Sequence, residues 1–414
     1  MANRLPAGSP RLLRRLNSAA VLDAIRTAGP VSRTELARAT GLSKPTVNDV
    51  VEFLLAARYV TESVPDGDGQ PRRPGRRARL IRFRSELGYV LGIDIGANKT
   101  LALVTDLDGR VLAAERSRTS ARERADAEAM LGKVRRVARA ARAAAGIAPG
   151  DVKAVGVGTP GVVDPLSGGV TLAPQLHGWE GIRLGRRLER SFDCPVLVDN
   201  EVHLSLLAER WRGAAQGIDD AFYVQIGVGI GGGILIGGDV YRGAGGAAGE
   251  VGYLPIFDAE APSEGLGPFE HAAGGTAFAR LGRRAADRHP GSTLSALGRG
   301  KREAIDAETV FAAAAEGDAA AVEVLEELLE RLARGIAAAV VVLNPATVIV
   351  GGGISRAGER LLAPLERRIH ELVPVPPRIA LSTLGEEAVA LGAARLALQA
   401  VEERLFALAT VAAT

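Results

Sequence analysis

At 414 residues, the chain is long enough for two or three domains. Hydrophobic residues make up 47% of it and charged residues 24%, a composition that excludes a disordered chain. Residues 1–84 hold 16 Lys and Arg against 7 Asp and Glu, a net charge of +9, while the whole chain carries only +3, so a basic head precedes an acidic body. The single cysteine, Cys194, excludes an intrachain disulfide framework, and no apolar run is long enough to span a bilayer. We therefore expect a cytoplasmic protein with no membrane partner.

The head begins with three predicted helices, over residues 17–28, 34–40 and 44–58. Gly41-Leu42-Ser43 separates the last two, and Ser43 is the predicted N-cap of the third helix. The spacing that predicts a helix-turn-helix here is Ala37-x3-Gly41-x5-Val47. Its predicted inward-facing residues are Val47, Val50, Val51 and Leu54.

Polar side chains near the start of the third helix suit the base edges and phosphates of a major groove. The predicted DNA contacts of this unit are Arg33, Ser43, Lys44, Thr46 and Asn48. Two strand patterns, 59–62 and 79–83, then flank a Gly-rich turn and predict a β-hairpin wing. The basic tip of this wing suits a minor groove or phosphates, through Arg72, Arg73, Arg76 and Arg77. The alternative, a helical interaction module without DNA, is disfavoured by the wing and the charge asymmetry. We place a DNA-binding domain at residues 1–84 and a second domain at 88–414.

The body contains two strand-Gly-strand units, at residues 89–104 and 222–236. Asp94 ends the first strand, where a hairpin turn presents N–H groups and a carboxylate to a metal-bound phosphate. The second unit contains a G-x-G-x-x-G pattern, but a strand follows it instead of a helix, so it is not a dinucleotide fingerprint. Two such units predict a duplicated α/β architecture with a cleft between two lobes. The other predicted elements are a helix over 121–145, strands over 152–157 and 195–198, helices over 204–211 and 336–343, a strand over 347–350 and a closing helix over 386–405, with Trp179 and Leu184 in the core.

Residues 198–203 place two carboxylates, an amide and an imidazole at a predicted strand-to-helix corner. These groups suit a small polyhydroxylated ligand. The alternative is a helix cap, with Asn200 as N-cap and an acidic first turn.

Taken together, these pieces resemble the ROK family of repressors and sugar kinases over nearly the whole chain. The body is similar to its sugar kinases, which implies a two-lobed α/β actin-like ATPase (ribonuclease H-like) fold. The head resembles the winged helix-turn-helix of its repressor branch, which includes xylose-responsive repressors. The motifs that carry the resemblance are Asp94-Ile95-Gly96, Gly158-Thr159-Pro160-Gly161, Asn200-Glu201, Gly227 to Gly233, Glu250-Val251-Gly252-Tyr253, Glu270, and Asn344-Pro345 through Gly351-Gly352-Gly353.

The resemblance implies that Glu201 stands where the sugar kinases carry their catalytic Asp. One added methylene moves the carboxylate by about an ångström, which can cost on the order of a hundredfold in rate. Asn98 and Val228 stand where kinases usually have Thr, so two hydroxyls near phosphate are missing. We therefore predict a sensor without catalytic residues, not an enzyme. Its vestigial phosphate loops are represented by Asp94, Gly96, Gly227 and Gly229.

The family's zinc site is a His followed by three Cys, but Tyr253 takes the His position and residues 256–269 contain no Cys. We therefore predict no zinc, no other metal and no cofactor. By resemblance, the predicted ligand-binding residues are Gly161, Gln175, Asn200, Glu201, His203, Glu250, Tyr253 and Glu270. For His203 the alternative is a structural histidine without a ligand role.

These inferences predict a transcriptional regulator, a repressor, that binds operator DNA and is controlled by a sugar or sugar derivative in a non-catalytic cleft. A homodimer or homotetramer would match a two-fold operator. Two alternatives stay open: an ATP-dependent sugar kinase with an attached DNA-binding domain, and a ligand-blind repressor with a degenerate dimerisation body.

Overall fold

The head is built from three helices and a small antiparallel sheet. The computed structural model describes residues 10–63, 79–173, 176–257, 265–298 and 302–411. The head elements are α1 (Pro10–Ala28), β1 (Val31–Ser32), α2 (Arg33–Thr40), α3 (Lys44–Ala56), β2 (Val60–Ser63) and β3 (Leu80–Phe83). Ser43 caps α3 as predicted, because its hydroxyl accepts a hydrogen bond from the backbone N–H of Thr46. Val47, Val50, Val51 and Leu54 are all buried. The predicted helix-turn-helix is therefore confirmed.

The wing strands pair as an antiparallel hairpin. β2 pairs with β3, with Val60 opposite Phe83, and β1 pairs with the other edge of β3. The predicted tip residues Arg72, Arg73, Arg76 and Arg77 lie outside the described residues.

A five-stranded mixed sheet forms the first lobe. Its strand order is β10-β7-β4-β5-β6, with β4, β5 and β6 antiparallel and β4, β7 and β10 parallel. The elements of this part of the chain are β4 (Tyr89–Ile95), β5 (Lys99–Asp106), β6 (Val111–Arg118), α4 (Ala121–Ala125), α5 (Ala127–Ala144), β7 (Val152–Thr159), β8 (Val162–Val163), β9 (Val170–Leu172), α6 (Leu184–Phe192), β10 (Val196–Asn200) and α7 (Glu201–Arg212). Trp179 and Leu184 are buried, as predicted.

This lobe differs from the sequence prediction at several elements, since β8, β9 and α6 were not predicted, and two further differences have a clear physical reason. The single helix predicted over residues 121–145 is two helices, because Asp126 adopts an extended conformation and its side chain accepts from the N–H of Glu128 to cap α5. The edge strand β6 was not predicted. Its residues alternate between exposed and half-buried positions, without the fully buried apolar positions that identified its neighbours.

The second lobe repeats the topology of the first. Its sheet runs β13-β12-β11-β14-β15, again with an antiparallel hairpin pair on one side and two parallel neighbours on the other. Its elements are β11 (Ala221–Ile226), β12 (Ile230–Ile236), β13 (Asp239–Tyr241), α8 (Pro268–Ala273), α9 (Gly275–Arg288), α10 (Thr293–Leu297), α11 (Ala307–Ala315), α12 (Ala319–Leu343), β14 (Thr347–Gly351), α13 (Glu359–Leu372), β15 (Arg378–Leu381) and α14 (Ala388–Val411). The predicted duplication is thus present. No helix in the described ranges is long and apolar enough to cross a bilayer.

The last helix, α14, returns from the second lobe to pack on the first. It contacts β4, β7 and α7. The approach to the sheet is so close that a Cβ atom on Gly156 would lie 1.8 Å from the carbonyl oxygen of Ala393. α14 therefore completes the core of the first lobe.

The head is mounted on the same helix. α1 packs against α14, and apolar residues of both belong to one continuous core. Arg26 of α1 donates to the carbonyl oxygen of Leu107 (2.8 Å) and pairs with Asp108 and Glu402. These contacts join the head to the loop after β5 and to α14.

Candidate functional site

The N-terminus of α7 forms one wall of the candidate site. Asn200 Oδ1 accepts hydrogen bonds from the backbone N–H groups of Val202 (2.6 Å) and His203 (3.3 Å). Asn200 Nδ2 donates to the carbonyl oxygen of Gly161 (2.8 Å). Asn200 is therefore a helix cap, as the alternative interpretation held, and it also holds Gly161 against the corner.

Glu201 follows this cap and faces the second lobe. Its Oε1 accepts a hydrogen bond from Gln225 Nε2 of β11, at 3.2 Å. Burial raises the pKa of Glu201 to about 8, and the nearby charges of Asp94 and Glu250 add to the shift. Gln225 was not predicted as a site residue. A signal was present, because it is the polar residue of an otherwise apolar strand directly before a Gly-rich turn.

Asp94 lies across from Glu201, at the end of β4. The residue is only 5% exposed, and its carboxylate accepts no hydrogen bond from the part of the chain that the structure describes. Burial raises the pKa of Asp94 to about 7, although the ammonium group of Lys99 lowers it. Asp94 is thus a buried carboxyl group left without a hydrogen-bonding partner.

The ring of His203 is held on both sides by the protein. Its Nδ1 lies 3.1 Å from Asp199 Oδ1, and its Nε2 lies 3.0 Å from the carbonyl oxygen of Ala248. Asp199 also pairs with Arg242, at 2.7 Å. Direct ligand binding was predicted for His203, but neither ring nitrogen is free here. Asp199 belongs to β10 and His203 to α7, so the strand-to-helix corner at Asn200 brings these two side chains together. The His203 ring also ties the loop at Ala248 to α7.

Glu270 is also engaged within the protein. Its two carboxylate oxygens accept from the backbone N–H groups of Ile230 (3.2 Å) and Gly267 (3.3 Å). A Cβ atom on Gly229 would lie 1.6 Å from Glu270 Oε1, so a side chain there would displace the Glu270 carboxyl group from this turn. Glu270 therefore braces the turn between β11 and β12.

In the described part of the chain, two other predicted site residues have polar groups without a hydrogen-bonding partner. Glu250 is half-buried, burial raises the pKa of its carboxyl group, and that group accepts no hydrogen bond within the described residues. Tyr253 is 43% exposed. Burial raises the pKa of the Tyr253 hydroxyl, and the charges of Glu250 and Glu270 raise it further. The three side chains therefore lie close together. Gln175 lies outside the described residues.

An acidic group thus lines the candidate site. We call Asp94, Glu201, Glu250 and Glu270 the cleft carboxylates. Electrostatic coupling links Glu201 to Asp94 and Glu250, and Glu270 to Glu250. Among the described residues, no group of three or more His, Cys, Asp or Glu is arranged to hold a metal ion.

A charged contact joins the turns of both lobes. Glu386, just before α14, accepts from Lys99 Nζ (2.9 Å) and Arg116 Nη1 (3.0 Å) of the first lobe. Arg356, after β14 of the second lobe, lies 3.7 Å from the other oxygen of the same carboxylate. The ammonium group of Lys99 is therefore already paired with the protein's own carboxylate.

The predicted DNA contacts divide into two sets. Ser43, Lys44 and Asn48 are exposed, and Thr46 is half-exposed with its hydroxyl 2.8 Å from that of Ser43. Arg33 instead pairs with Glu52 (2.9 Å) and Glu62 (3.2 Å) inside the head and donates weakly to Asn48 (3.5 Å). The guanidinium of Arg33, which was predicted to contact DNA, is thus engaged within the head, where it orients its neighbours.

Comparison with known proteins gives matches along nearly the whole chain. The model of the ROK family matches residues 90–400, and that of the MarR family matches residues 15–70. A xylose repressor of Caldicellulosiruptor bescii is 29% identical over 391 residues, which are 93% of this chain and 96% of that protein.

Solved structures show the same architecture. A ROK family glucokinase from Streptomyces griseus, in complex with glucose and AMPPNP, is 31% identical with a TM-score of 0.65, covering 75% of this chain and all of that one. A ROK family transcriptional regulator, described as a homolog of the E. coli MLC protein, has a TM-score of 0.79 at 24% identity, covering 96% of this chain and 99% of its own. The second likeness shows that head, body and their arrangement form one known fold.

Proposed function

This chain belongs to the ROK family, and on that premise we propose that it is a DNA-binding transcriptional repressor controlled by a sugar. The observation that carries the proposal is the winged-helix head fused to a ROK body, an organisation matched from end to end by a xylose repressor. In the head, Lys44 and Asn48 are exposed at the start of α3, where a recognition helix contacts base edges. A homodimer would present two such helices to a two-fold operator.

The cleft is the effector site in this proposal. Among the described residues, its polar groups without a partner are the carboxyl groups of Asp94 and Glu250 and the hydroxyl of Tyr253, and Glu201 keeps one oxygen free beside its bond to Gln225. Carboxyl oxygens accept hydrogen bonds from sugar hydroxyls. Asn200, His203 and Glu270 support these groups without facing the ligand directly. The family's zinc does not fit this chain, because Tyr253 replaces the His and residues 256–269 contain neither His nor Cys.

α7 and α14 connect the two functions. The effector site includes the N-terminus of α7, α14 packs along α7, and α1 of the head packs on α14. A sugar that shifts α7 therefore changes the packing of α14, on which α1 of the head rests. Couplings of this kind are worth about 1–3 kcal/mol.

The second candidate function is sugar phosphorylation, which the 31% identity to a glucokinase favours. Against it, Glu201 is fixed by Gln225, and the exposed turn residues Asn98 and Val228 offer no hydroxyl to a phosphate. Sugar-dependent ATP hydrolysis that is lost in Glu201→Gln would establish a kinase.

The proposal is tested by a mobility shift with DNA from the chain's own upstream region, at fixed salt, with and without a panel of sugars. We expect specific binding that at least one sugar changes. Lys44→Ala combined with Asn48→Ala is expected to abolish specific binding. The control is Arg186→Ala, which removes an exposed charge on α6, a helix that packs on β10 and α5 of the first lobe. Unchanged operator affinity in the double variant would refute the assignment of α3.

A further inference from the structure

We propose that a proton on His203 fastens a segment of the second lobe to the first lobe, and that this segment is released as the pH rises. The segment is residues 242–250, which follow β13 and which we call the strap. The inference goes beyond the proposed function and does not depend on it. It rests on the hydrogen-bonding partners of one buried ring.

The strap lies against the first lobe. At its start, Arg242 donates to Asp199 Oδ2 of β10, which lies 2.8 Å from Nε and 2.7 Å from Nη2. Further along, Gly246 passes so close to β8 that a Cβ atom on it would lie 1.9 Å from the carbonyl oxygen of Val163. The strap therefore crosses from the sheet of the second lobe to elements of the first.

Both ring nitrogens of His203 face acceptors. Nε2 lies 3.0 Å from the carbonyl oxygen of Ala248 in the strap, an atom that can only accept. Nδ1 lies 3.1 Å from Asp199 Oδ1, and the Asp199 carboxylate also accepts from the backbone N–H of Asn200 (2.8 Å) and from Arg242. A neutral imidazole has one N–H and one lone pair, so it satisfies only one of these two acceptors. The arrangement therefore holds the ring as an imidazolium, which donates from both nitrogens.

The charged groups that face His203 favour this proton. Burial opposes a charge on Asp199, but the hydrogen bond from His203 and the charge of Arg242 hold the pKa of Asp199 below its usual value, so its carboxylate stays ionised. Glu250, at the end of the strap, also interacts with the charge of His203. The ring, which is only 3% exposed, thus lies near two carboxyl groups, and the neighbouring cation, Arg242, is already paired with one of them.

Three other elements packed on α7 place no charged side chain beside this ring. β11 and β12 contain no charged residue. Residues 388–401 of α14 contain one, Arg395, which lies over the ring of Trp211 at the C-terminal end of α7. The proton on the imidazole therefore depends on the three charged groups named above.

The strap loses one of its ties when the proton leaves. In either neutral tautomer, a ring lone pair would face an acceptor, either the carboxylate of Asp199 or the carbonyl oxygen of Ala248. Fastening the strap therefore binds a proton, so the fastened form is favoured at low pH and weakens as the pH rises. The carbonyl oxygen of Gly249 accepts from the N–H of Gly232 (2.7 Å), and this bond and the tie at Ala248 together place Glu250. Release of the strap therefore also changes the position of Glu250.

Limited digestion of the full chain with trypsin between pH 7 and pH 9 tests the inference, because the strap begins with a trypsin site after Arg242. Mass spectrometry follows cleavage of this bond, and the rate is divided by that of a free peptide of residues 238–248 to correct for the pH dependence of trypsin. We expect the corrected rate to rise about tenfold over this range, since cleavage follows the population of the open strap. A corrected rate that does not rise overturns the inference.

A variant separates the imidazole from the cleft carboxylates, which gain charge over the same range because burial raises the pKa of Asp94 to about 7 and that of Glu201 to about 8. In His203→Gln the new amide can donate to Ala248 but does not titrate, so we expect the corrected rate to change by less than about twofold. His289→Gln, at an exposed histidine, is the control and should keep the full rise. An unchanged rise in His203→Gln would assign the opening to the carboxylates and refute the role of the imidazole.

Nitrogen-15 NMR of the native chain detects the proton directly and needs no folded variant. The chain has five histidines, and the contact of the His203 ring with Ala248 assigns its signals. We expect this ring to carry a proton on both nitrogens at pH 7 and to lose one by pH 9, in step with cleavage of the strap. A neutral His203 ring at pH 7 contradicts the inference. Neither measurement involves DNA or a sugar, so its outcome is separate from that of the proposed function.

Discussion

Gln225 and Glu201 form a contact between the two walls of the cleft, one from β11 and the other from α7. The amide of Gln225 donates to the carboxyl group of Glu201 at 3.2 Å and so fixes this side chain. Ser205 lies next to both, since its hydroxyl donates to the carbonyl oxygen of Glu201 (3.0 Å) and lies 3.4 Å from Gln225 Oε1. Gln225 is therefore a positioning residue for the proposed effector site.

Gln225→Leu tests this role. The variant removes the donor while keeping the volume, and a buried acceptor left unsatisfied costs about 1–3 kcal/mol, so we expect sugar affinity to fall about tenfold. Operator affinity without sugar should stay unchanged, since α3 is untouched. Gln216→Leu, on an exposed loop, is the control. Equal sugar affinity in Gln225→Leu and the native chain would show that Glu201 is oriented without it.

The partners of single side chains were the part of the site that sequence patterns could not predict. Asn200, Glu201 and His203 were identified from one hexapeptide, and the structure does place them at one corner. Their division into free and engaged groups depends on residues far along the chain, such as Ala248 for His203 and Gln225 for Glu201. A local pattern contains no information on such contacts.

At the scale of elements, periodicity predicted the central strands of both sheets, but it did not predict helices α6, α9 and α13. It predicted only the last part of α12, residues 336–343, because the earlier turns of this 25-residue helix carry many charged residues. It missed the edge strand β6 for the related reason that its residues are largely exposed. The repeated strand order of the two sheets was predicted only as a duplication, since strand order depends on contacts between distant elements.

The contact between α14 and the first sheet makes a prediction about stability. In Gly156→Val, the new Cβ atom would meet the carbonyl oxygen of Ala393 at 1.8 Å, so α14 must move away from β7. We expect the free energy of unfolding to fall by more than about 3 kcal/mol in chemical denaturation. Gly132→Ala on α5 is the matched control, because nothing lies within 4 Å of its Cβ, and it should be neutral or slightly stabilising. If Gly156→Val has the same free energy of unfolding as the native chain, α14 does not pack closely on β7 in solution.

At the scale of the whole molecule, Arg26 connects head and body through several contacts at once. Its guanidinium bonds to Leu107, Asp108 and Glu402, and it lies over the ring of Phe83 at 5.6 Å from the centroid. Glu402 belongs to α14, which packs both on α7 and on α1 of the head. Arg26 is thus placed to transmit the effect of the sugar.

Arg26→Ala should uncouple the two ends of the molecule. We expect sugar affinity to stay within twofold of the native value, while the ratio of operator affinities with and without sugar falls at least threefold towards one. Mobility shifts and calorimetry on the same preparation measure both quantities. Arg187→Ala, which breaks an exposed ion pair with Glu128, is the control. A full sugar response in Arg26→Ala would exclude this route of coupling.

The return of α14 to the first lobe also has a consequence for how the protein is made. Ala390, Leu398 and Val401 share one core with β-strand residues near position 90 and with α1 of the head. During translation, the common core of the head and the first lobe therefore stays incomplete until α14 has been synthesised. A nascent chain, or one ended by a premature stop shortly before position 388, carries every proposed DNA contact without the helix that supports them. The support of the proposed DNA contacts is thus complete only once α14 has been synthesised.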